Sequence, residues 1–199
     1  MDAERVLDSL RETGALLEGH FELSSGLHSD RYFQCARVLQ YPERTEELAR
    51  ALAQLVRERF RPDVVVGPAL GAVTWSHEVA RALGVRGLFT ERKDGQMVLR
   101  RGFELEPGER VLIVEDVVTT GGSAKEAALC VQATGAEIVG FGTIVNRSGT
   151  NPFAELGVEL AALAEVEANA WRPEDCPLCA EGSIAEKPGS RSAEKAAPR

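Results

Sequence analysis

The chain has 199 residues, of which 44% are hydrophobic and 27% are charged, as expected for one globular α/β domain. Its net charge of −8 argues against non-specific nucleic-acid binding. No apolar run approaches the roughly 18 residues of a membrane span, and residues 1–5 lack the basic and apolar pattern of a secretory signal. We therefore expect a cytoplasmic protein that has neither nucleic acid nor a membrane as a partner.

The first 60 residues are predicted to form two helices and two strands. Apolar residues predict a helix over 2–18, and apolar or alternating runs predict strands over 20–23 and 31–39. A polar loop lies between these strands. Pro42 opens a second helix, whose apolar residues keep helical spacing as far as Phe60.

The rest of the chain alternates between strands and helices. Strands are predicted at 64–66, 87–90, 138–145 and 158–163, together with a central strand that begins at Val111. This alternation favours right-handed crossovers and a mostly parallel sheet. Ligands bind at the carboxyl ends of the strands in such sheets. Here those ends carry residues 67–71, Arg92 and Lys93, Glu115 and Asp116, and Arg147.

The sequence VLIVEDVVTTGGS, residues 111–123, is the most informative stretch. It predicts an apolar strand that ends in two acids, a tight polar loop and the start of a helix. The N-terminus of that helix, with Gly121 and Gly122, suits a phosphate. The two acids suit sugar hydroxyls or Mg²⁺. A ribose 5-phosphate site explains both ends, whereas an ordinary buried strand would not require the acids.

This stretch resembles the phosphoribosyl pyrophosphate (PRPP) motif of the type I phosphoribosyltransferases over its full length. It lacks the Gly-Lys-[Ser/Thr] of a Walker A loop and the three spaced glycines of a dinucleotide-binding loop. The resemblance implies an α/β fold with a mostly parallel central sheet flanked by helices and a small N-terminal hood. It divides one structural domain into a helix and hood segment at 1–40, a PRPP-binding core at 41–180, and a tail at 181–199. The tail is expected to be partly disordered, at least beyond Ser190.

A second segment bears on the acceptor base. Residues 21–33, FELSSGLHSDRYF, resemble the hood of orotate phosphoribosyltransferases, where a Ser-Gly-x-[Lys/His]-Ser loop and an aromatic strand cover the pyrimidine. Residues 146–149, NRSG, fit the same family, which uses an arginine here for the orotate carboxylate; a planar guanidinium suits that group. Residues 176–179 and 187–191 resemble the C-terminal segment of one bacterial branch of the family. The resemblance implies transfer of phosphoribosyl from PRPP to orotate, giving orotidine 5′-monophosphate and pyrophosphate in de novo pyrimidine synthesis.

The resemblance also implies roles for individual residues. Glu115, Asp116 and Lys93 are the implied catalytic residues, and Mg²⁺ is the implied cofactor, held mainly by PRPP and water. In this family a mobile loop, near 92–102 here, serves the neighbouring subunit, so a homodimer is implied. The PRPP contacts fall on Arg92, Lys93, Glu115, Asp116, Val117, Val118, Thr119, Thr120, Gly121, Gly122 and Ser123, and the orotate contacts fall on Thr119, Arg147, His28 and Phe33.

The chain departs from the family pattern in three loops. Many relatives have lysine where this chain has His28 and Gly71, so a fixed charge becomes a titratable one at position 28. The mobile loop of many relatives carries a further lysine and a histidine, where this chain has DGQM at 94–97, followed by Arg100 and Arg101. Whether either arginine replaces the family's loop lysine stays open.

Structural explanations remain open for several of these residues. The charged residues at 92–101 also fit a solvated hairpin, and His28 fits an ordinary surface loop. Arg147 also fits a salt-bridged strand end. Glu115 also fits a structural acid, because neighbouring residues of a strand face opposite sides.

The cysteines Cys176 and Cys179 form an isolated Cys-x-x-Cys pair. A zinc site needs two more ligands, and there is no second pair, although Cys35 is a candidate to join. Free thiols are favoured over a metal site or a disulfide. Cys130 is expected to be a small core residue.

Two other functions use the same fold. A phosphoribosyltransferase for a purine base is disfavoured by the hood segment and Arg147. A PRPP-sensing regulator is disfavoured because such proteins usually carry a nucleic-acid-binding surface, and this chain has a charge of −8 and no spare domain.

Overall fold

The computed structural model of the protein describes residues 1–23 and 25–188. Its elements in chain order are α1 Ala3–Glu12, β1 Leu16–Glu22, β2 His28–Phe33, α2 Ala36–Leu39, α3 Pro42–Phe60, β3 Val64–Pro68, α4 Ala72–Leu83, β4 Arg86–Lys93, β5 Gln96–Leu99, β6 Arg110–Val118, α5 Gly122–Gln132, β7 Glu137–Asn146, β8 Leu160–Glu165, β9 Ala170–Trp171 and α6 Pro177–Ala180, with 3₁₀ turns at Ala154–Leu156 and Pro173–Asp175. None of the described helices has the length and apolarity that crossing a membrane requires.

The main sheet has six strands in the order β5-β4-β3-β6-β7-β8. Every neighbouring pair is parallel except β4 and β5, which form an antiparallel hairpin at one edge. The predicted α/β fold with a mostly parallel sheet is therefore confirmed. Strand β6, which carries the two acids, lies inside the sheet between β3 and β7.

Helices cover both faces of this sheet. Leu48, Leu52 and Trp75, from α3 and α4, are fully buried in one apolar cluster. Ala127 and Val131, from α5, are fully buried in a second cluster. Because both faces are covered, the parallel strands read as continuous apolar runs rather than as alternating patterns.

A second, smaller sheet has the order β1-β2-β9 and forms the hood. Its third strand, Ala170–Trp171, comes from the C-terminal part of the chain and pairs with β2 at Ser29 and His28. Glu186 forms an isolated parallel bridge with Phe21 of β1. We call residues 170–188 the closing segment. The hood sheet therefore draws on both the segment predicted at 1–40 and this later part of the chain.

Two expectations for the N-terminal region are wrong. The helix predicted over 2–18 ends at Glu12, because Gly14 takes a φ of 65° and its N–H bonds to the carbonyl of Arg11. The apolar pair at 16–17 then belongs to β1. The second predicted strand, 31–39, ends at Phe33, and Ala36–Leu39 is a short helix. The disorder expected beyond Ser190 concerns residues outside the described range.

The helix α3 ends where the sequence predicts, at Phe60. Strand β8, predicted at 158–163, is shifted towards the C-terminus. The segment after the predicted strand 87–90 is more regular than expected. Strand β4 continues to Lys93, and a two-residue turn returns the chain into β5.

Candidate active site

The two adjacent acids lie at the carboxyl end of β6. Val111 to Val114 are fully buried, whereas Glu115 and Asp116 are half-buried. The Asp116 carboxylate accepts a hydrogen bond from the N–H of Val117 at 2.9 Å. The backbone carbonyl oxygen of Asp116 accepts one from the Thr143 hydroxyl at 3.1 Å. The strand thus holds the carboxylates at the sheet edge where parallel α/β proteins bind ligands.

Both carboxyl groups are held in an environment that disfavours their charge. Burial, followed by the neighbouring Asp116, raises the pKa of Glu115 to about 8. Burial also raises the pKa of Asp116, although hydrogen bonds from the backbone oppose this shift. Among the described residues, neither acid forms an ion pair. The site therefore favours a ligand that brings hydroxyl donors or positive charge to the two acids.

The loop after β6 leads into the open N-terminus of α5. Thr119, Thr120, Gly122 and Ser123 are exposed, and no side chain caps the helix. Gly121 has a φ of 73°, and a Cβ there would lie 2.7 Å from the ring of Phe153. Only glycine fits this turn, which leaves the first N–H groups of α5 free to bind an anion.

A second loop faces the acids from the carboxyl end of β3. A Cβ at Gly71 would lie 3.5 Å from the carboxylate oxygens of Asp116, so these two positions are in direct proximity. The peptide bond between Ala69 and Leu70 is cis, and Leu70 is 88% exposed. Because position 71 is a glycine, no side chain from this position reaches the Asp116 carboxylate.

Arg147 follows β7 and lies beside the hood. Its guanidinium carbon is 5.0 Å from the centre of the Phe33 ring, and its Nη2 lies 3.4 Å from the hydroxyl oxygen of Ser29. Burial lowers the pKa of Arg147, and nearby Asp30 partly opposes that effect. Its buried Nε has no hydrogen-bond partner in the described chain. No carboxylate of residues 1–23 or 25–188 forms an ion pair with it, so the salt-bridge alternative is not supported there.

The predicted orotate residues fall into two groups. The N–H of Arg147 bonds to the carbonyl of Val118 at 2.7 Å, which places the Arg147 backbone next to the exposed Thr119. Phe33 joins this group through its contact with the guanidinium. His28 lies on the same strand as Ser29, but its Nδ1 is 2.9 Å from His20 Nε2. The role of His28 in orotate binding stays a prediction. The contact of Ser29 with Arg147 was not predicted, although Ser29 lies in the recognised hood sequence.

The predicted mobile loop near 92–102 begins as a β-hairpin. Arg92 pairs with Glu126 on α5 at 2.6 Å, and Arg100 and Arg101 pair with Glu91 at 3.4 and 3.0 Å. Lys93 is exposed at the hairpin tip and has no ion-pair partner among the residues that the structure describes. Lys93 is thus the predicted PRPP contact in this hairpin whose charge is not already paired.

Glu115 and Asp116 are also the residues that determine whether this site suits Mg²⁺. Carboxylate oxygens are hard ligands of the kind that Mg²⁺ takes, and it usually keeps several waters and substrate phosphates as well. Glu115 and Asp116 supply such oxygens without a competing cation in the described chain. The residues therefore fit an ion carried mainly by a phosphorylated substrate.

The chain is similar to known phosphoribosyltransferases. The phosphoribosyl transferase domain matches residues 34–156. The orotate phosphoribosyltransferase of Desulforamulus reducens is 52% identical over 191 residues, which cover 96% of this chain and 98% of that protein. That of Thermotoga maritima is 50% identical over 186 residues, which cover 94% and 98%.

Solved structures show the same fold. The orotate phosphoribosyltransferase of Aeropyrum pernix has a TM-score of 0.66 and 26% identity, covering 80% of this chain and 93% of that one. The Mycobacterium tuberculosis enzyme in complex with inorganic phosphate has a TM-score of 0.65 and 27% identity, covering 82% and 95%.

The domain match and the shared fold establish the chain as a type I phosphoribosyltransferase. The relatives of about 50% identity extend over nearly the whole chain and nearly the whole of each relative. Within that class, the chain belongs to the orotate phosphoribosyltransferase family.

Proposed function

We propose that this chain transfers the 5-phosphoribosyl group of PRPP to orotate, with Mg²⁺, and releases orotidine 5′-monophosphate and pyrophosphate in de novo pyrimidine synthesis. The observation that carries the proposal is the arrangement around β6. Two acids with raised pKa lie at the end of β6, the open N-terminus of α5 follows them in the chain, and the half-buried guanidinium of Arg147 follows the neighbouring strand β7. The open N-terminus suits a phosphate, the two acids suit ribose hydroxyls, and the guanidinium suits a planar carboxylate.

In this proposal the residues of the β6–α5 loop bind the sugar phosphate. The N–H groups at the start of α5 and the hydroxyls of Thr119, Thr120 and Ser123 donate to the 5′-phosphate. Glu115 and Asp116 accept hydrogen bonds from the ribose 2′- and 3′-hydroxyls. These contacts fix the anomeric carbon relative to orotate, and such positioning accounts for a large share of catalysis between two bound substrates.

The acids have a second effect on the reaction. As pyrophosphate departs from the anomeric carbon, positive charge develops on the ribose ring. The Asp116 carboxylate held nearby stabilises that charge more strongly in a half-buried site than in water. Orotate then attacks through its ring nitrogen; the bond from the anomeric carbon to pyrophosphate breaks, the bond to nitrogen forms, and the proton of that nitrogen is released to solvent. When bound with PRPP, Mg²⁺ supplies positive charge to the leaving pyrophosphate.

Arg147, Phe33 and Thr119 form the proposed base pocket. The guanidinium binds the orotate carboxylate, for which its buried Nε lacks a competing partner in the described chain. The Phe33 ring packs beside the pyrimidine. A purine base has no carboxylate for Arg147, which is why orotate is the favoured acceptor.

The proposal includes a homodimer, a mobile hairpin segment near 92–102 and a cytoplasmic location. Lys93 contacts the pyrophosphate of the neighbouring subunit in this arrangement, and closure of the segment excludes water that would hydrolyse PRPP. The support for these parts comes from the family and from the exposed, unpaired Lys93 among the described residues.

The direct test is consumption of orotate. Purified protein is mixed with PRPP and Mg²⁺, and the loss of orotate absorbance is followed together with pyrophosphate release. Adenine and hypoxanthine serve as matched alternative bases. We expect turnover with orotate only. If PRPP binds by calorimetry but orotate is not consumed, the PRPP site stands and the assignment of the base is wrong.

A further inference from the structure

Four metal-ligating side chains converge between the hood sheet and the closing segment. They are His20 of β1, His28 of β2, and Cys176 and Cys179 at the start of α6, and one ligand atom from each lies within 4.8 Å of all the others. We call this group the His-Cys cluster. It is the only such group within 1–23 and 25–188. Cys35, considered above as a third sulfur ligand, is not a member; it is buried in the core.

The distances in the cluster are close to those of a tetrahedral centre. His20 Nε2 lies 2.9 Å from His28 Nδ1 and 3.4 Å from Cys176 Sγ. Cys179 Sγ lies 3.3 Å from His28 Nδ1 and 3.8 Å from His20 Nε2. Zinc bonds of about 2.05 Å to nitrogen and about 2.3 Å to sulfur imply separations of roughly 3.3 Å between nitrogens and roughly 3.6 Å between nitrogen and sulfur. Each of these pairs is within about half an ångström of that geometry.

Burial and charge also favour a metal. His20 is 7% exposed and Cys176 is 3% exposed. Two thiolates and one Zn²⁺ together carry no net charge, so a complete centre avoids the cost of burying an isolated ion. All four cysteines of the chain are free rather than joined in disulfides. Two sulfur and two imidazole ligands in a tetrahedron are typical of zinc and unsuited to Mg²⁺.

The local backbone explains why the ligands meet. The pairing of β1 with β2 is irregular between Glu18 and Phe21, which is a bulge in the stretch that carries His20. On the other side, Cys176 is the residue before α6, and Pro177 begins that helix, so both sulfurs lie on one turn. A hydrogen bond of 2.8 Å from the N–H of Glu186 to the carbonyl of His20 holds the closing segment against β1 beside the cluster.

We propose that the His-Cys cluster binds one Zn²⁺ as a closed structural site, through His20 Nε2, His28 Nδ1 and the thiolates of Cys176 and Cys179. Binding to the reduced protein displaces the two thiol protons to solvent. The metal centre holds the closing segment against the hood. Its ligand His28 is the residue before Ser29, which contacts Arg147. The metal uses Nδ1 of His28, so Nε2 stays available for the predicted contact with orotate. This inference does not depend on the proposed reaction.

The first test measures metal content. Full-length protein is produced in zinc-supplemented medium, purified in a reduced state without chelators or a histidine tag, and analysed by mass spectrometry for zinc. We expect about one zinc per chain in the wild type and at least a tenfold loss in Cys179→Ser and in Cys176→Ser. Cys130→Ser, which alters a half-buried cysteine on α5, is the matched control and should keep the metal.

A second test needs no variant and therefore does not depend on whether a variant folds. Zinc-free, reduced wild type is titrated with Co²⁺, which should give thiolate charge-transfer absorption and the visible bands of a tetrahedral ion, both removed by one equivalent of zinc. The proposal is overturned if the wild type holds less than about a tenth of a zinc per chain and gives no cobalt bands. It is equally overturned if Cys179→Ser keeps full zinc.

Discussion

The guanidinium carbon of Arg147 lies 5.0 Å from the centre of the Phe33 ring. This contact joins the end of a core strand to the hood, two parts of the chain separated by more than a hundred residues. The aromatic ring takes up one face of the guanidinium but supplies no hydrogen-bond acceptor. The fork of N–H donors at Arg147 is therefore available to a planar carboxylate.

Replacement of Arg147 should affect the two substrates unequally. Because Arg147→Ala removes a charged, bidentate contact worth about 1.5–3 kcal/mol, the KM for orotate should rise roughly 10- to 150-fold. The KM for PRPP should change by less than about threefold. Steady-state kinetics with each substrate varied in turn measures both. Arg147→Lys keeps the charge but loses the fork of donors, so its KM for orotate should lie between those of the wild type and Arg147→Ala. Equal changes in the KM values for orotate and PRPP would contradict the assignment.

Asp116 is expected to combine a catalytic gain with a cost to stability. Asp116→Asn should lower kcat/KM by about 100-fold or more, because it removes charge next to the developing cation. The same change removes a carboxylate whose pKa is raised by burial, so the free energy of unfolding should stay the same or rise by about 1 kcal/mol. Kinetics and urea unfolding test the two effects separately. Unchanged kcat/KM would refute the catalytic role, and a large loss of stability would refute the electrostatic explanation.

The raised pKa of Glu115 predicts a pH dependence of stability. The folded protein keeps a proton on this carboxyl up to a pH of about 8, whereas the unfolded chain releases it near the ordinary value of 4.5. Stability contributed by this proton is complete below 4.5 and is lost as the pH rises through 8. The wild type should therefore lose stability relative to Glu115→Gln between these limits. Parallel stability curves for the two proteins, measured by urea unfolding from pH 5 to 9, would contradict the assignment.

The sequence predicted the core of the molecule better than its edges. The secondary structure of residues 111–123 was predicted correctly because a buried strand, a polar turn and a helix start each leave a local signal. The prediction of a helix over 2–18 was wrong because apolar residues at 16–17 fit a helix or a strand equally well. In addition, Gly14 was not interpreted as the end of the helix. The pair Asp94-Gly95 could have been used to predict the hairpin of β4 and β5. Both residues have positive φ, and Asp-Gly favours the two-residue turn of a β-hairpin.

The His-Cys cluster shows what local patterns cannot reveal. Its cysteines were recognised as a pair, but His20 and His28 lie far from them in the sequence and not in a spacing typical of a zinc site. Only the return of the closing segment to the hood sheet brings the four side chains together. Long-range pairing of this kind is set by the topology of the sheet, so it could not be derived from short motifs.

A mixture of two inactive variants tests the proposed homodimer and the hairpin together. If Lys93 serves the neighbouring subunit, Lys93→Ala and Asp116→Asn each damage every site of their own homodimers. A mixed dimer then has one site with both defects and one intact site. Random exchange of subunits should restore about a quarter of wild-type activity. No recovery, in a mixture shown by native mass spectrometry to contain mixed dimers, would place Lys93 in its own subunit's site.

The dependence on Mg²⁺ has to be measured without a strong chelator. EDTA would remove Mg²⁺ from PRPP and, on the zinc proposal, also compete for the metal of the His-Cys cluster, so a loss of activity would have two explanations. Omission of Mg²⁺ from dialysed protein and substrates removes Mg²⁺ alone and leaves the metal of the His-Cys cluster in place. We expect turnover to fall at least tenfold on omission and to return when Mg²⁺ is added, while the zinc content stays constant. Full activity at trace Mg²⁺ would contradict the assigned cofactor, and recovery with added zinc instead of Mg²⁺ would contradict the division of roles between the two metals.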